Sequence, residues 1–202
     1  MTLDWLDRAF LSRPPRRSPS AAGPQPPESS LVTAGPPWAR PSAESTVAGH
    51  AVVARLLEVV PTEWDQLAGA IETAARDGRR VIAFTGGERG EGRSTVVGGV
   101  AEVLRRRGRS VAVHVRAPLL LPLDEAEAAR AADIVLVDAG PWFTTGPVRR
   151  RTVERAALGC DAAVLVRRAE SPPCPAWADV LAAIGLTVIG EAVTFESALA
   201  AG

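Results

Sequence analysis

The sequence predicts an α/β fold in three layers, a mostly parallel sheet between helices, preceded by a disordered Pro-rich leader. Three observations lead there. Residues 81–85 are an apolar strand-like run that enters a glycine-rich turn and then a helical pattern. Strand-like and helix-period segments alternate over the remainder, as they do when helices cover both faces of a parallel sheet. Residues 1–45 carry Pro14, Pro15, Pro19, Pro24, Pro26, Pro27, Pro36, Pro37 and Pro41 among Ser, Ala and Gly, a composition that cannot repay chain entropy by burial. The expected organisation is therefore a leader over 1–45 and one folded domain over 46–202. Within the leader, Leu3, Leu6 and Phe10 share a helical face with Trp5 and Ala9 nearby. A short amphipathic helix over 2–11 is expected there, too short to be stable alone and suited to docking on a partner.

Taken in order, the first element of the domain is a helix capped by Thr62, with Asp65 in a capping-box-like position. Trp64, Leu67, Ala70, Ile71 and Ala74 recur at helical spacing up to Gly78. The strand 81–85 follows. After the glycine turn, Val96, Val97, Val100, Val103 and Leu104 mark one face of a helix that stops at Gly108. Residues 110–115 form a β-branched run suited to a sheet interior. A short helix over 124–132 leads to the apolar strand 134–138, which ends in Asp138. Residues 148–158 read as helix, 162–166 as strand, 175–184 as helix and 186–193 as the last strand.

From Gly87 the turn fits G-x-x-x-x-G-[K/R]-[S/T], a phosphate-binding loop in the strand-then-helix context that the bare motif requires. Its backbone amides form a concave anion site at a helix N-terminus, and its glycines let the backbone approach phosphate oxygens. The candidate phosphate-binding residues are Gly87, Gly90, Glu91, Gly92, Arg93, Ser94 and Thr95. Ser94 is placed to ligate Mg²⁺, and Asp138 is placed as the acid of the neighbouring strand that reaches the metal through water. The implied cofactor is ATP or GTP with Mg²⁺. Arg93 stands where lysine threads beside the transferred phosphate, and a planar guanidinium holds phosphate without guiding its transfer. All 23 basic residues are arginine, so this change also suits a chain without lysine. No residue is assigned a catalytic role.

Charge and composition exclude several classes. The formal net charge is zero, so no global field favours nucleic acid or an anionic membrane. The clusters Arg105–Arg107 and Arg149–Arg151 lack interleaved aromatics and read as solvated faces or cations near helix ends. Cys160 and Cys174 have no metal-ligand spacing and imply no disulfide framework, which suits a reducing compartment. No segment approaches the length of a membrane span, and no basic-then-apolar signal pattern opens the chain. The expected location is cytoplasmic, peripheral to the inner membrane through a partner. His50 and His114 have no recognisable triad or ligand set and read as structural, and Trp142 and Phe143 read as an aromatic lid on the core.

The block Gly90-Glu91-Gly92-Arg93-Ser94-Thr95 resembles the G-E-G-K-S-T loop of the bacterial tyrosine kinases of capsule and exopolysaccharide biosynthesis (BY-kinases), within the MinD/ParA group of P-loop ATPases. The likeness spans residues 64–193, and its sharp part is the loop. It implies a P-loop NTPase-like fold and a protein partner, such as a membrane polysaccharide export component, with a homodimer as a further assembly. Several features depart from the family. The D-x-D positions after the second strand are Val115 and Ala117. The chain has no tyrosine, which rules out the family's autophosphorylation. Thr194 stands near the position of an asparagine beside the adenine. Only about 18 residues separate the second strand from Asp133, too few for the usual strand, helix and switch loop. The MinD/ParA signature lysine is missing, with Arg89 as its nearest substitute. The leading expectation is a degenerate P-loop protein that binds nucleotide weakly or not at all and serves a regulatory or scaffolding role in polysaccharide synthesis or export. An active MinD/ParA-type ATPase switch and an interaction protein with a relic loop stay open beside it.

Overall fold

The computed structural model describes residues 2–3, 43–144 and 148–195, with backbone alone for 2–3 and 43–50. The elements are β1 (Thr2–Leu3), α1 (Ala43–Val59), α2 (Pro61–Arg76), β2 (Val81–Gly86), α3 (Arg93–Arg106), β3 (Val111–His114), a 3-10 turn (Pro118–Leu120), α4 (Leu123–Ala131), β4 (Ile134–Pro141), α5 (Arg150–Ala156), β5 (Ala162–Arg168), α6 (Pro175–Ala183) and β6 (Thr187–Thr194). The strands form one sheet in the order β1-β6-β5-β2-β4-β3, and every pairing is parallel.

Alternation of side chains along the strands builds two cores. Ile82, Phe84, Ile134, Leu136, Ala162, Val164 and Val166 face α1, α2 and α3. Ala83, Val135, Val137, Ala163 and Leu165 face the opposite way, toward Ala129 of α4, Val153 of α5 and Leu181 of α6. Period-two alternation of this kind is how one strand serves both faces of a covered sheet. The crossover from β2 to β3 runs toward one edge while all later crossovers run back toward the other. Right-handed connection then puts α3 on one face and α4, α5 and α6 on the other. The chain leaves β2 for one layer and leaves both its neighbours, β4 and β5, for the other. The crevice above the end of β2 is therefore the topological switch point, where α/β sheets bind ligands.

The predicted elements are present with shifted ends, and two details differ. Pro61 opens α2 behind Val60, which makes no side-chain cap, so the capping box expected from Thr62 and Asp65 does not form. Proline at the first helical position supplies the start instead, because its missing N–H is one that no helix pairs. Helix α1 lies across the expected leader boundary. Its apolar residues Val52, Val53, Leu56 and Leu57 pack on the first core, so the sheet's α3 face carries two added helices rather than one. The remaining leader, residues 4–42, lies outside the described residues, as does most of the expected helix over 2–11; Thr2 and Leu3 are described, and they extend the sheet beside Val193 and Thr194. Among the described residues no helix is long and apolar enough to cross a membrane. The arginine clusters act as internal fasteners: Arg107 binds Asp65 and Glu72, Arg106 binds Glu102, and Arg150 donates to the carbonyl of Ala183 near the end of α6.

Candidate phosphate loop

Strand β2 delivers the chain at Gly86 into a turn that ends where α3 begins, at Arg93. Gly90 (φ 81°) and Gly92 (φ 75°) take the left-handed conformation that lets the turn close on itself. Gly86 is demanded by proximity: a Cβ there would lie 2.1 Å from the carbonyl oxygen of Val166 and 2.2 Å from Oε2 of Glu91. At Gly87 a Cβ would strike the ring of Trp177, which stacks on Phe143 with centroids 4.9 Å apart. Of the expected lid of Trp142 and Phe143, Phe143 is buried and stacks on Trp177, a partner the sequence did not indicate, while Trp142 is partly buried against the core.

The acid and hydroxyl expected to share a metal meet. Ser94, in the first turn of α3, donates from Oγ to Oδ2 of Asp138 at 2.5 Å. Asp138 reaches that point because β4 pairs directly with β2, in register with Phe84. One carboxylate and one hydroxyl fit Mg²⁺, which keeps several waters and takes its other ligands from substrate phosphates. Among the described residues no cluster of three or more His, Cys, Asp or Glu forms an independent metal cage.

Arg93 and Glu91 adopt an arrangement that spacing alone does not reveal. Arg93 turns back along its own loop, and Nη1 donates to Oε2 of Glu91 at 2.9 Å. Both Nη atoms reach the carbonyl of Glu88 at 3.3 Å, and Nε stands 3.5 Å from Oδ1 of Asp138 without a hydrogen-bond partner. Glu91 is only 2% exposed. Its Oε1 accepts the amides of Gly87 at 3.2 Å and Glu88 at 3.0 Å. A carboxylate of the chain itself therefore takes the two amides at the start of the loop, while residues 90–95 face the open side. Thr194 fastens the loop, its hydroxyl donating to the carbonyl of Glu91 at 2.7 Å with the carbonyl of Arg167 at 3.1 Å as the alternative acceptor, so it holds backbone rather than facing a base.

An open cavity of about 470 Å³ lies beside the loop, lined by residues 90–95 with Arg168 and Phe195. The guanidinium of Arg168 sits over the Phe195 ring, 4.7 Å from its centroid. Of the other residues singled out from sequence, Val115 is exposed and Ala117 buried, both beyond the end of β3. His114 faces Glu125 at 3.6 Å, away from the loop. Burial pushes the Cys160 thiol up to about 12, which leaves it inert.

Burial also raises the Glu91 carboxyl above its ordinary value, outweighing the opposing pull of the Glu88 and Gly87 amides and of Arg93. A carboxyl raised in the fold binds more protons folded than unfolded between the two values. Its stability contribution is then full below the unfolded value of about 4.3 and is lost as pH rises through the folded one. Unfolding free energies measured against pH should fall across that window in the unmodified chain, with a shallower fall in Glu91→Gln. Equal slopes in the two proteins would show that Glu91 titrates as it does in the unfolded chain.

No protein-family model matches the sequence. No curated protein matches it significantly either. Solved structures do match. The BceF tyrosine kinase domain aligns with a TM-score of 0.52 at 18% identity, covering 75% of this chain and 89% of that one. The chimerical protein CapA2B2 aligns with a TM-score of 0.50 at 12% identity, covering 70% of this chain and 89% of that one. At such identities the likeness establishes the architecture alone: the chain has the three-layer, parallel-sheet α/β fold shared by the BceF tyrosine kinase domain and CapA2B2.

Proposed function

We propose that the chain is a degenerate P-loop protein of the BY-kinase and MinD/ParA type, with nucleotide binding reduced to weak or none. In this reading it acts as a regulatory or scaffolding partner in exopolysaccharide or capsule synthesis or export. The observation that carries the reduced chemistry is Arg93 in place of lysine, its guanidinium folded back onto the Glu91 carboxylate and the Glu88 carbonyl of its own loop. The absence of tyrosine and of acids at Val115 and Ala117 supports the same loss. The pathway is inferred by analogy with the fold, a weaker warrant than the site itself. The phosphate ligands of this reading are Gly87, Gly90, Glu91, Gly92, Arg93, Ser94 and Thr95, in their case chiefly through backbone amides. Ser94 and Asp138 would hold Mg²⁺, which on binding neutralises charge on the phosphates. The partner is a protein, such as a membrane export component, met from the cytoplasmic side; a homodimer is a further assembly.

The retained Ser94 and Asp138 pair favours a second reading, an active ATPase switch. Titration of the purified chain with labelled ATP and GTP, with and without Mg²⁺, separates the two. The proposed function predicts dissociation constants of about 1 mM or weaker and no phosphate release above the uncatalysed rate. Micromolar, Mg²⁺-dependent binding with release abolished by Asp138→Ala would establish the switch instead.

A further inference from the structure

We propose that the outer edge of β3 is the contact surface of a two-fold dimer of this chain, in which β3 pairs antiparallel with β3 of a second copy about Val113 and the two sheets run on into one. This assigns a surface to the homodimer and is independent of what the phosphate loop binds.

β3 is the last strand of the sheet, with β4 on one side only. The connection from His114 to Ile134 holds a 3-10 turn and α4 but no strand, so it pairs nothing on the other side. Ser110 turns its carbonyl to β4, where it accepts the Ile134 amide at 3.1 Å. By the alternation of a strand, Ala112 and His114 face β4 as well, and Val111 and Val113 turn their amides and carbonyls outward. Arg105 covers one of these groups, donating from Nη2 to the Val111 carbonyl at 3.1 Å, which leaves that oxygen a second lone pair. Val113 is 41% exposed and Val115 74%. Sheet edges are commonly guarded by outward charges, proline or a bulge, and Val111, Val113 and Val115 supply none of these.

The residues of the edge select a second copy as the occupant. Val111-Ala112-Val113-His114-Val115 presents valine at the same places read from either end about Val113. A two-fold axis at Val113 therefore sets Val113 against its own copy and Val111 against Val115, β-branched pairs on one face of the joined sheets, with Ala112 against His114 on the other. Val113 and its copy exchange both backbone hydrogen bonds, because the amide and carbonyl of each already point outward. Val115 and Arg116 now form a bend, and pairing draws both into the strand.

Charge complementarity points the same way. The axis lays Arg116 beside Ser110 of the second copy, whose amide donates to Oδ2 of Asp133 at 2.9 Å. Asp133 then lies two strand spacings from Arg116, about 10 Å between backbones, a gap that the two side chains span together. Arg116 and Asp133 are both exposed, and among the described residues neither has an ion-pair partner. The two-fold forms this cross-copy pair twice and sets no like charges opposite each other within residues 110–116. With zero formal net charge, the copies also meet without long-range repulsion.

The test is sedimentation velocity of the full chain, without nucleotide, from about 5 µM to about 500 µM. So short a contact predicts a dissociation constant of about 10 to 100 µM. Val113→Lys and Val113→Glu, each checked for folding by circular dichroism, set like charges against their own copies and should stay monomeric, while an equimolar mixture of the two should restore dimers. Arg116→Asp should weaken association by about tenfold, and adding Asp133→Arg to it should recover most of the loss. A full chain that is monomeric at about 500 µM overturns the proposal and leaves the edge to residues 4–42 or to a foreign strand. A dimer that persists in both Val113 variants overturns it by placing the contact elsewhere, and a mixture that stays monomeric overturns the pairing about Val113. Should neither Val113 variant fold, unchanged association in Arg116→Asp overturns it equally. Nucleotide binding, tested by the titration above, can succeed or fail without altering any of these outcomes.

Discussion

Trp64→Ala is expected to destabilise the domain by about 3 to 5 kcal/mol, read as a lower midpoint in urea unfolding with an unchanged slope. Trp64 is 1% exposed and is the largest side chain among those fully buried. It sits on α2 and drives its ring against α3 at Gly99, where a Cβ would lie 2.5 Å from the ring. Its indole Nε1 donates to the carbonyl of Leu56 at 3.2 Å, near the end of α1. One side chain thus joins the three helices that cover one face of the sheet, one of which starts at the phosphate loop. Truncation removes the apolar contact, opens a cavity that closely packed neighbours cannot fill, and leaves the Leu56 carbonyl without this donor. Trp64→Phe keeps most of the volume and loses the donor, so its cost should be well under half that of alanine. Equal costs for the two variants would mean that the hydrogen bond, not the packing, joins these helices.

The same helix shows what can be read from a sequence. Trp64, Leu67, Ala68, Ile71 and Ala74 are buried at helical spacing, and apart from Ala68 each was marked by periodicity. The strands around Phe84, Leu136 and Val164 were equally plain, because residues buried on both faces of a parallel sheet leave unbroken apolar runs. Two kinds of feature were not legible. Helix α1 borders a Pro-rich stretch whose composition hides its helical pattern, and its packing face shows only once α2 and α3 are in place. The contact of Trp177 with Gly87 joins residues far apart in sequence, and no local pattern encodes it. At the loop, spacing identified the residues and their neighbourhood, and the Ser94 to Asp138 contact followed from strand adjacency. The direction taken by Glu91 did not, because a side chain's rotamer depends on which donors the folded backbone leaves nearest to it.

That rotamer sets the second large effect. Arg93→Met is expected to cost about 3 to 5 kcal/mol, since it strips the guanidinium from a carboxylate that is buried and stays ionisable. The side chains of Arg93 and Glu91 are 8% and 2% exposed, so solvent screens neither of them to the degree usual for a surface pair. Methionine fills similar volume, which confines the loss to charge and hydrogen bonds. The double variant Arg93→Met with Glu91→Gln removes both charges and should recover most of that loss, because replacing a buried pair outright is often close to neutral while breaking it is not. Arg93→Lys should fall between. An ammonium can meet the Glu91 carboxylate, but a point charge cannot also span the Glu88 carbonyl and the side of Asp138 as the planar guanidinium does. Urea unfolding of the unmodified chain, Arg93→Met, Glu91→Gln and the double variant at one pH measures the pair as a double-mutant cycle. A coupling below about 0.5 kcal/mol would show that the two side chains contribute independently, and the loop would then owe its shape to its glycines and to the Thr194 hydroxyl alone.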